Sequence, residues 1–451
     1  MGIAKIPIYD KIYKYLILMI KVSNLEENYM KKLLGLGLSL AMVLSLVACG
    51  GSKKAAEPVA QATEAKVEEA KAPETKAPTS SGDKVIKIGV FEPQTGQNGG
   101  GGIQEVYGIR YANKIYNTVK IGGEDYKIEL YEVDNKSDEK EAVTAAQRLI
   151  SGKVSAVLGS YGSGVSIAAG EYFKDAKVPA IGCSCTNPQV TLDNEYYFRT
   201  CFLDPFQGKV MASYCEKKGY KNVAVLTELG DDYSEGLGGF FVKACKEKGI
   251  NVVKEEKFKK NDSEFKGYLT NIKAANPEFL FAPSSIASAP LILSQARELG
   301  ITCQIGAGDT WENGTIITNA HGAAEGAVLT TFYEADPAKA TGEEAVFLKG
   351  NGQGETATGF SDYLVKVENQ PALIPAVSAL GYDAYLAAYK AIEKAQSIDG
   401  EAIKNALVGL QYTGVTGPIS FDTNGDANKN GAYLKEVENN EFVFKEIVTI
   451  D

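Results

Sequence analysis

The chain has 451 residues, 44% of them hydrophobic and 23% charged, with a formal charge of −10. That length predicts roughly two or three domains, and the acidic balance argues against a nucleic-acid partner, since phosphate binding needs a basic face. Seven cysteines without zinc-ligand spacing and a single histidine, His321, predict neither a metal nor a cofactor.

The N-terminal residues read as targeting. Lys31 and Lys32 precede an apolar run, Leu33 to Val47, too short for a permanent membrane span, which needs about 20 residues. Leu46-Val47-Ala48-Cys49 resembles the bacterial lipobox. That resemblance implies cleavage of residues 30–48, a lipid on Cys49, export, and anchoring on the outer face of the cytoplasmic membrane or in the periplasm. Residues 1–29 lie outside this plan and read as a dispensable leader, with Met30 the expected start. Residues 49–83 are rich in Ala, Lys, Glu, Pro and Ser with no repeating apolar face. They predict a disordered tether, because such a segment cannot bury enough to offset its ordering entropy.

From Lys84 onward strands and helices alternate. Lys84–Phe91 and Tyr126–Val133 predict strands around a helix over Gly102–Tyr116, with Gly99–Gly102 as a loop before it. Ser137 is the expected cap of a helix whose apolar stripe is Ala142, Val143, Ala146, Leu149 and Ile150. Val154–Leu158 and Val178–Ile181 predict buried strands around a helix near Val165–Lys174. The alternation restarts after Asp204-Pro205, with strands at Asn222–Thr227, Val252–Phe258, Glu278–Phe281 and Gln304–Gly306, and helices at Tyr233–Lys248, Glu264–Ala275 and Ala287–Leu299. Residues 342–396 predict mostly helix. Ala432–Val448 predicts two strands around a turn at Asn439-Asn440. Two such series imply an α/β fold of two doubly wound, Rossmann-like lobes, and an open parallel sheet binds ligands beyond the carboxyl ends of its strands. Two lobes facing each other make a cleft able to close on a solute.

The loop Gly159-Ser160-Tyr161-Gly162-Ser163-Gly164 follows a strand and opens a helix, a place where backbone N–H groups favour an anion. It is not a Walker loop, since no Gly-Lys-Ser/Thr follows, nor a nucleophile elbow, since Tyr161 stands where glycine is required. The hydroxyls of Gly182-Cys183-Ser184-Cys185-Thr186 are expected at the same sheet edge. Together the two loops offer donors for a carboxylate. The Cys183/Cys185 pair reads as ordinary buried cysteine, and Asp422–Asn428 as a glycine-containing turn, because Ala427 and Tyr433 stand where a calcium loop needs Gly and Glu.

Several stretches carry a family resemblance: KIGVFEPQTG (87–96), GSYGSGVSIA (159–168), VPAIGCSCTNP (178–188), FRTCFLDPFQG (198–208), DDYSEGLG (231–238), ALGYDAYLAAYKAI (379–392) and GPISFDTNGD (417–426). In these the chain resembles the leucine/isoleucine/valine-binding family of type I periplasmic binding proteins. The resemblance implies an amino-acid-binding component of an ABC importer that works with a membrane permease and is not an enzyme. It also implies a hinge of three crossovers near Asp204, Thr331 and Gly417, with lobes of 84–204 plus 331–417 and 205–330 plus 418–451. Carried over residue by residue, it places a ligand carboxylate and ammonium against Ser163, Ser184 (mainly backbone) and Thr186, an ammonium acceptor at Asp309, and a covering ring at Tyr233. A zwitterion enclosed away from water needs donors at one end and an acidic acceptor at the other. The chain departs from that pattern at Ser285 and in the Gly99–Gly102 run, where relatives often place an aromatic residue. Asp309 replaces a glutamate, the family's first-lobe disulfide has no counterpart, and Trp311 is expected either in the core or as a substitute wall. The alternatives are a sensor of the same fold acting through a membrane receptor, a binder of another small solute such as an amide, and an amidase or hydrolase. The last is disfavoured by the lone histidine.

Overall fold

The computed structural model describes residues 84–450, so Cys49, the signal and the tether lie outside the described residues. Two open sheets carry the architecture. The first holds β1 (Val85–Glu92), β2 (Thr118–Ile121), β3 (Glu124–Asp134), β4 (Ala156–Leu158), β5 (Ala180–Gly182) and β6 (Tyr197–Arg199), in the order β2-β3-β1-β4-β5-β6. All neighbours are parallel except the β2–β3 hairpin. Between strands run α1 (Gly99–Ile115), α2 (Glu139–Ser151) and α3 (Ser163–Asp175).

The second sheet takes β7 (Asn222–Leu229), β8 (Asn251–Lys259), β9 (Phe279–Phe281), β10 (Gln304–Ala307) and β11 (Val328–Thr331), then β14 (Gly431–Glu438) and β15 (Glu441–Thr449). Its order is β15-β14-β11-β10-β9-β7-β8, with the last two chain strands antiparallel at one edge. Asn439 and Asn440 both sit at positive φ between them, which is the backbone a tight right-twisted hairpin needs. Helices α4 (Asp204–Lys218), α5 (Asp232–Glu247), α6 (Lys266–Ala274), α7 (Ala289–Glu298) and α8 (Gly314–Asn319) belong to this half.

The intervening helices α9 (Gly342–Lys349), α10 (Phe360–Lys366), α11 (Ala376–Ala395) and α12 (Gly400–Leu407) return to the first sheet. Gly108 and Gly381 let α1 and α11 touch, since a Cβ on either would lie 1.9 or 2.3 Å from a backbone oxygen of the other helix. Tyr111 of α1 packs against Phe347, Phe360, Tyr363 and Tyr382. A short hairpin, β12 (Gln411–Gly414) and β13 (Gly417–Ser420), follows. The chain therefore passes between the halves after β6, after β11 and after β13.

The inner strands of each sheet are buried on both faces, which is why they read as continuous apolar runs, while the edge strands β2, β8 and β15 are partly exposed. Phe91, Val133, Val157, Ala146, Leu149 and Phe173 form one core against α2 and α3. Val223, Val225, Phe279 and Phe281 form another against α4 and α5. Two local expectations are corrected. Gly99–Gly102 is the first turn of α1 rather than a loop, and Asp138, not Ser137, caps α2 by accepting from the Lys140 and Glu141 amides. Ser137 instead adopts φ 55° and donates its hydroxyl to the Thr95 carbonyl.

Candidate functional site

Both sheets reverse their winding beside their first strand. In the first half, β3 and β4 flank β1; in the second, β8 and β9 flank β7. A doubly wound sheet opens a crevice at such a switch point, and the two crevices face each other. The loops after β1 and β4 and the start of α5 line one pocket, together with Tyr161, Ser163, Tyr233 and Thr310.

Hydrogen bonds span this cleft. Gln97 Nε2 donates to Asn261 Oδ1 (3.0 Å), the Ile286 amide to Asn98 Oδ1 (3.0 Å), Asn313 Nδ2 to the Gly100 carbonyl (3.1 Å) and Asn187 Nδ2 to the Asp232 carbonyl (2.6 Å). The two halves are thus held in a closed arrangement.

Ser163 opens α3, and its Oγ accepts from the Asn187 amide at 3.2 Å, so the two first-half loops meet there. Thr186 is fully buried, and its hydroxyl lies beside the Asp204 carboxyl without forming an aligned hydrogen bond. On the opposite side, Asp309 starts a one-turn 3-10 helix after β10. Its Oδ1 accepts from Gln207 Nε2 at 2.9 Å and from Tyr233 Oη at 3.1 Å. Gly308 makes that meeting possible, since a Cβ there would lie 2.4 Å from the Tyr233 hydroxyl. Burial raises the Asp309 carboxyl to about 6, with the Gln207 and Tyr233 hydrogen bonds opposing it. Ser163 and Tyr233 therefore line the cleft pocket, Asp309 is joined to Tyr233, and Thr186 is buried beside Asp204. Ser184 differs at its side chain: Oγ donates away into the first half, to Glu105 Oε1 at 2.5 Å.

Several residues of the site went unread in the sequence. Gln207 braces Asp309 from two sides, because its Oε1 also accepts from the Asp309 amide at 3.0 Å and from the Thr330 hydroxyl. Arg199 is wholly buried. Its Nε meets Asp426 Oδ1 at 2.6 Å, one terminal nitrogen donates to the Cys185 and Asn187 carbonyls at 2.6 Å each, and the other donates to Thr191 Oγ1 at 2.9 Å. It fixes the backbone on either side of Thr186. Neither carboxyl oxygen of Asp204 has a hydrogen-bond partner, and burial raises that group to about 8. Glycine at Gly159, φ 113°, lets β4 end against β1, where a Cβ would lie 2.3 Å from the Phe91 carbonyl oxygen.

Glu92, Glu105 and Cys183 form one buried cluster at the ends of β1 and β5. Burial pushes all three groups upward, Glu105 to about 8; Glu105 adds to the rise at Glu92, while the hydrogen bond with Glu92 opposes the rise at Glu105. A protonated thiol with protonated carboxyls is a poor donor set for a metal, which binds the deprotonated forms. Trp311 is a core residue: it is buried and its indole N–H donates to Ser284 Oγ at 3.1 Å. Ser285 Oγ donates to Ser288 Oγ at 3.0 Å. The six cysteines among the described residues are free thiols. Asp422 Oδ1 accepts from the Asn424 and Asp426 amides, and Gly425 turns the chain at φ 90°.

The model of the periplasmic binding protein family matches residues 85–441. The chain belongs to that family. A leucine-binding protein, LivK, from Thermotoga maritima is 34% identical, with a TM-score of 0.73, covering 81% of this chain and 99% of its own. LivJ from Streptococcus pneumoniae, a branched-chain amino acid transporter substrate-binding protein solved with isoleucine, is 28% identical with a TM-score of 0.71, covering 81% and 100%. A leucine-, isoleucine-, valine-, threonine- and alanine-binding protein of Pseudomonas aeruginosa is 27% identical over 346 residues, 76% of this chain and 87% of its own. A benzoate-bound solute-binding protein of R. palustris shares the fold at 19% identity and a TM-score of 0.68. The family consists of extracytoplasmic solute-binding proteins of the leucine/isoleucine/valine-binding type. No helix among the described residues is long and apolar enough to cross a membrane.

Proposed function

We propose that this protein captures an α-amino acid between its two lobes and hands it to an ABC importer. The observation that supports the reading is a closed cleft with neutral donors near one side and a buried carboxyl joined to its opposite wall. The α3 N-terminus with Ser163 and Thr186 offers neutral donors, while Asp309, held by Tyr233 and Gln207, offers an acceptor. Helix N-termini favour a carboxylate, and a buried carboxylate favours an ammonium. Ser163 and Thr186 would bind the carboxylate, with the Ser184 backbone beside it, Asp309 the ammonium, and Tyr233 would cover the ligand. The chemistry of the set suits holding and releasing a solute rather than turning it over.

Calorimetry with aliphatic, polar and aromatic amino acids tests this. The best ligand is expected to lose about 30- to 5,000-fold in affinity in Asp309→Ala, because that change leaves an enclosed cation without its counter-charge. Binding as tight as wild type in that variant would remove the ammonium assignment. Heat only with a solute lacking an amine would remove the amino-acid reading.

Delivery to a permease follows from anchoring through Cys49, which the sequence supports by its Lys-Lys, apolar and Leu-Val-Ala-Cys order. One acyl chain binds a membrane weakly and two bind stably. Cys49→Ala is expected to move the protein from the membrane fraction to the soluble fraction or leave it unprocessed. A variant that fractionates and is processed like wild type refutes the anchor.

A further inference from the structure

The cleft of this protein has an aromatic wall in an unexpected place. Gly101, in the first turn of α1, leaves a space that the Tyr161 ring fills: a Cβ at Gly101 would lie 2.4 Å from two of its ring carbons and 2.9 Å from its hydroxyl. A side chain at 101 and the observed Tyr161 ring therefore exclude each other. Tyr161 is held by its backbone amide, which donates to Glu92 Oε2 at 2.7 Å. Its ring is nearly buried, and its hydroxyl has no hydrogen-bond partner among the described residues.

The ring belongs to a buried apolar cluster, while the cleft pocket it borders is lined mostly by polar residues. Pro93 and Val165 supply the only aliphatic side chains of the cleft pocket; the others come from residues such as Gln97, Asn98, Thr310 and Lys260. Burial first, and then the carboxyls of Asp309, Glu105, Glu312 and Glu92, keep the Tyr161 phenol protonated. A branched aliphatic side chain placed here would strand the hydroxyl in an enclosed site, and an unpaired buried hydroxyl is costly. A ligand side chain that can both donate and accept would satisfy it.

We propose that Tyr161, seated in the space left by Gly101, is the wall for the ligand's side chain, and that its hydroxyl selects an amino acid with a short hydroxyl- or amide-bearing side chain over leucine, isoleucine and valine. This rests on the amino-acid reading of the cleft. The pair Gly101–Tyr161 is then the specificity element, with the ring setting the length of side chain admitted and the hydroxyl its polarity.

Calorimetry on the full chain tests it, with serine, threonine, asparagine, leucine, isoleucine and valine against wild type, Tyr161→Phe, Tyr161→Leu, Gly101→Ala and the Gly101→Ala/Tyr161→Leu double variant. Thermal melts show which variants fold. Wild type is expected to prefer the best polar ligand, and Tyr161→Phe to lose about 3- to 10-fold for that ligand, the range for one neutral hydrogen bond, with little change for leucine. Tyr161→Leu is expected to reverse the ranking. Gly101→Ala is expected to weaken every ligand, and adding Tyr161→Leu to restore binding with an aliphatic preference. A wild-type preference for leucine, or an unchanged ranking in folded Tyr161→Phe and Tyr161→Leu, overturns the wall assignment and leaves the amino-acid reading standing. Failure of every amino acid to bind overturns both.

Discussion

Lowering the pH is expected to weaken ligand binding through Asp309. The ligand's ammonium needs the ionised carboxylate, yet burial holds that group near 6 in the closed cleft. The sign is fixed: at pH 7 most molecules carry the charged form, and at pH 5 most carry the proton that binding must expel. For a group titrating near 6, the apparent dissociation constant rises about tenfold between pH 7 and pH 5, or about 1.4 kcal/mol. Asp231, which lines the same pocket and is also raised to about 6, titrates in this range, so the Asp309→Asn variant assigns the slope. Glu105 and Asp204, each raised to about 8, stay largely protonated between pH 5 and 7. Calorimetry at half-unit steps, in buffers of differing ionisation heat, gives both the affinity and the protons released. Asp309→Asn should bind weakly and without this slope. Constant affinity from pH 7 to 5 in wild type, or the same slope in Asp309→Asn, would refute the reasoning.

Three other outcomes follow from particular contacts. Gln207→Leu removes the brace on Asp309 and leaves its amide and one carboxylate oxygen short of a partner; affinity is expected to fall by about 1–3 kcal/mol by calorimetry, with the fold intact by circular dichroism. Arg199→Met leaves Asp426 buried and unpaired and frees the Cys185 and Asn187 carbonyls; urea denaturation should show a loss of about 3–5 kcal/mol. Asp204 has a folded-state pKa raised above its unfolded value, so its contribution is fully present below the unfolded pKa and is lost as pH rises through about 8. Thermal melts of the unliganded protein should therefore fall between pH 5 and 8, and Asp204→Asn should flatten that fall; equal slopes in both proteins would count against it.

The repeating strand-helix pattern was legible because buried parallel strands and amphipathic helices leave short-range signatures. Val223–Phe281 shows this, as does the Asn439-Asn440 turn. The glycine run at Gly99–Gly102 misled, because glycine usually marks a loop; here Pro93 and Tyr161 crowd the helix start so closely that no side chain fits at Gly101 or Gly102. The loops carrying Ser163 and Thr186 were legible as strand ends at one sheet edge, but Tyr233 and Asp309 could be assigned only through resemblance. Nothing local reveals that the loop at Ser163 and the helix start at Tyr233 line one pocket. Gln207 and Arg199 were missed for the same reason in stronger form. Their partners Asp309 and Asp426 are 102 and 227 residues away, and one sequence carries no record of such pairing. Ser184 was read through its backbone, and its hydroxyl could not be foreseen to turn toward Glu105.

The two charged ends of a bound amino acid locate its site directly. The larger cavity of the molecule lies elsewhere, behind the hinge, among Phe202, Phe206, Phe332, Pro418, Lys429 and Tyr433. A crystal structure of the protein with its best-binding amino acid separates the two places. The ligand is expected in the cleft, its ammonium within hydrogen-bonding distance of Asp309 and its carboxylate against Ser163 and Thr186. A ligand seated in the hinge cavity, or one lying in the cleft with its carboxylate toward Asp309, would contradict it.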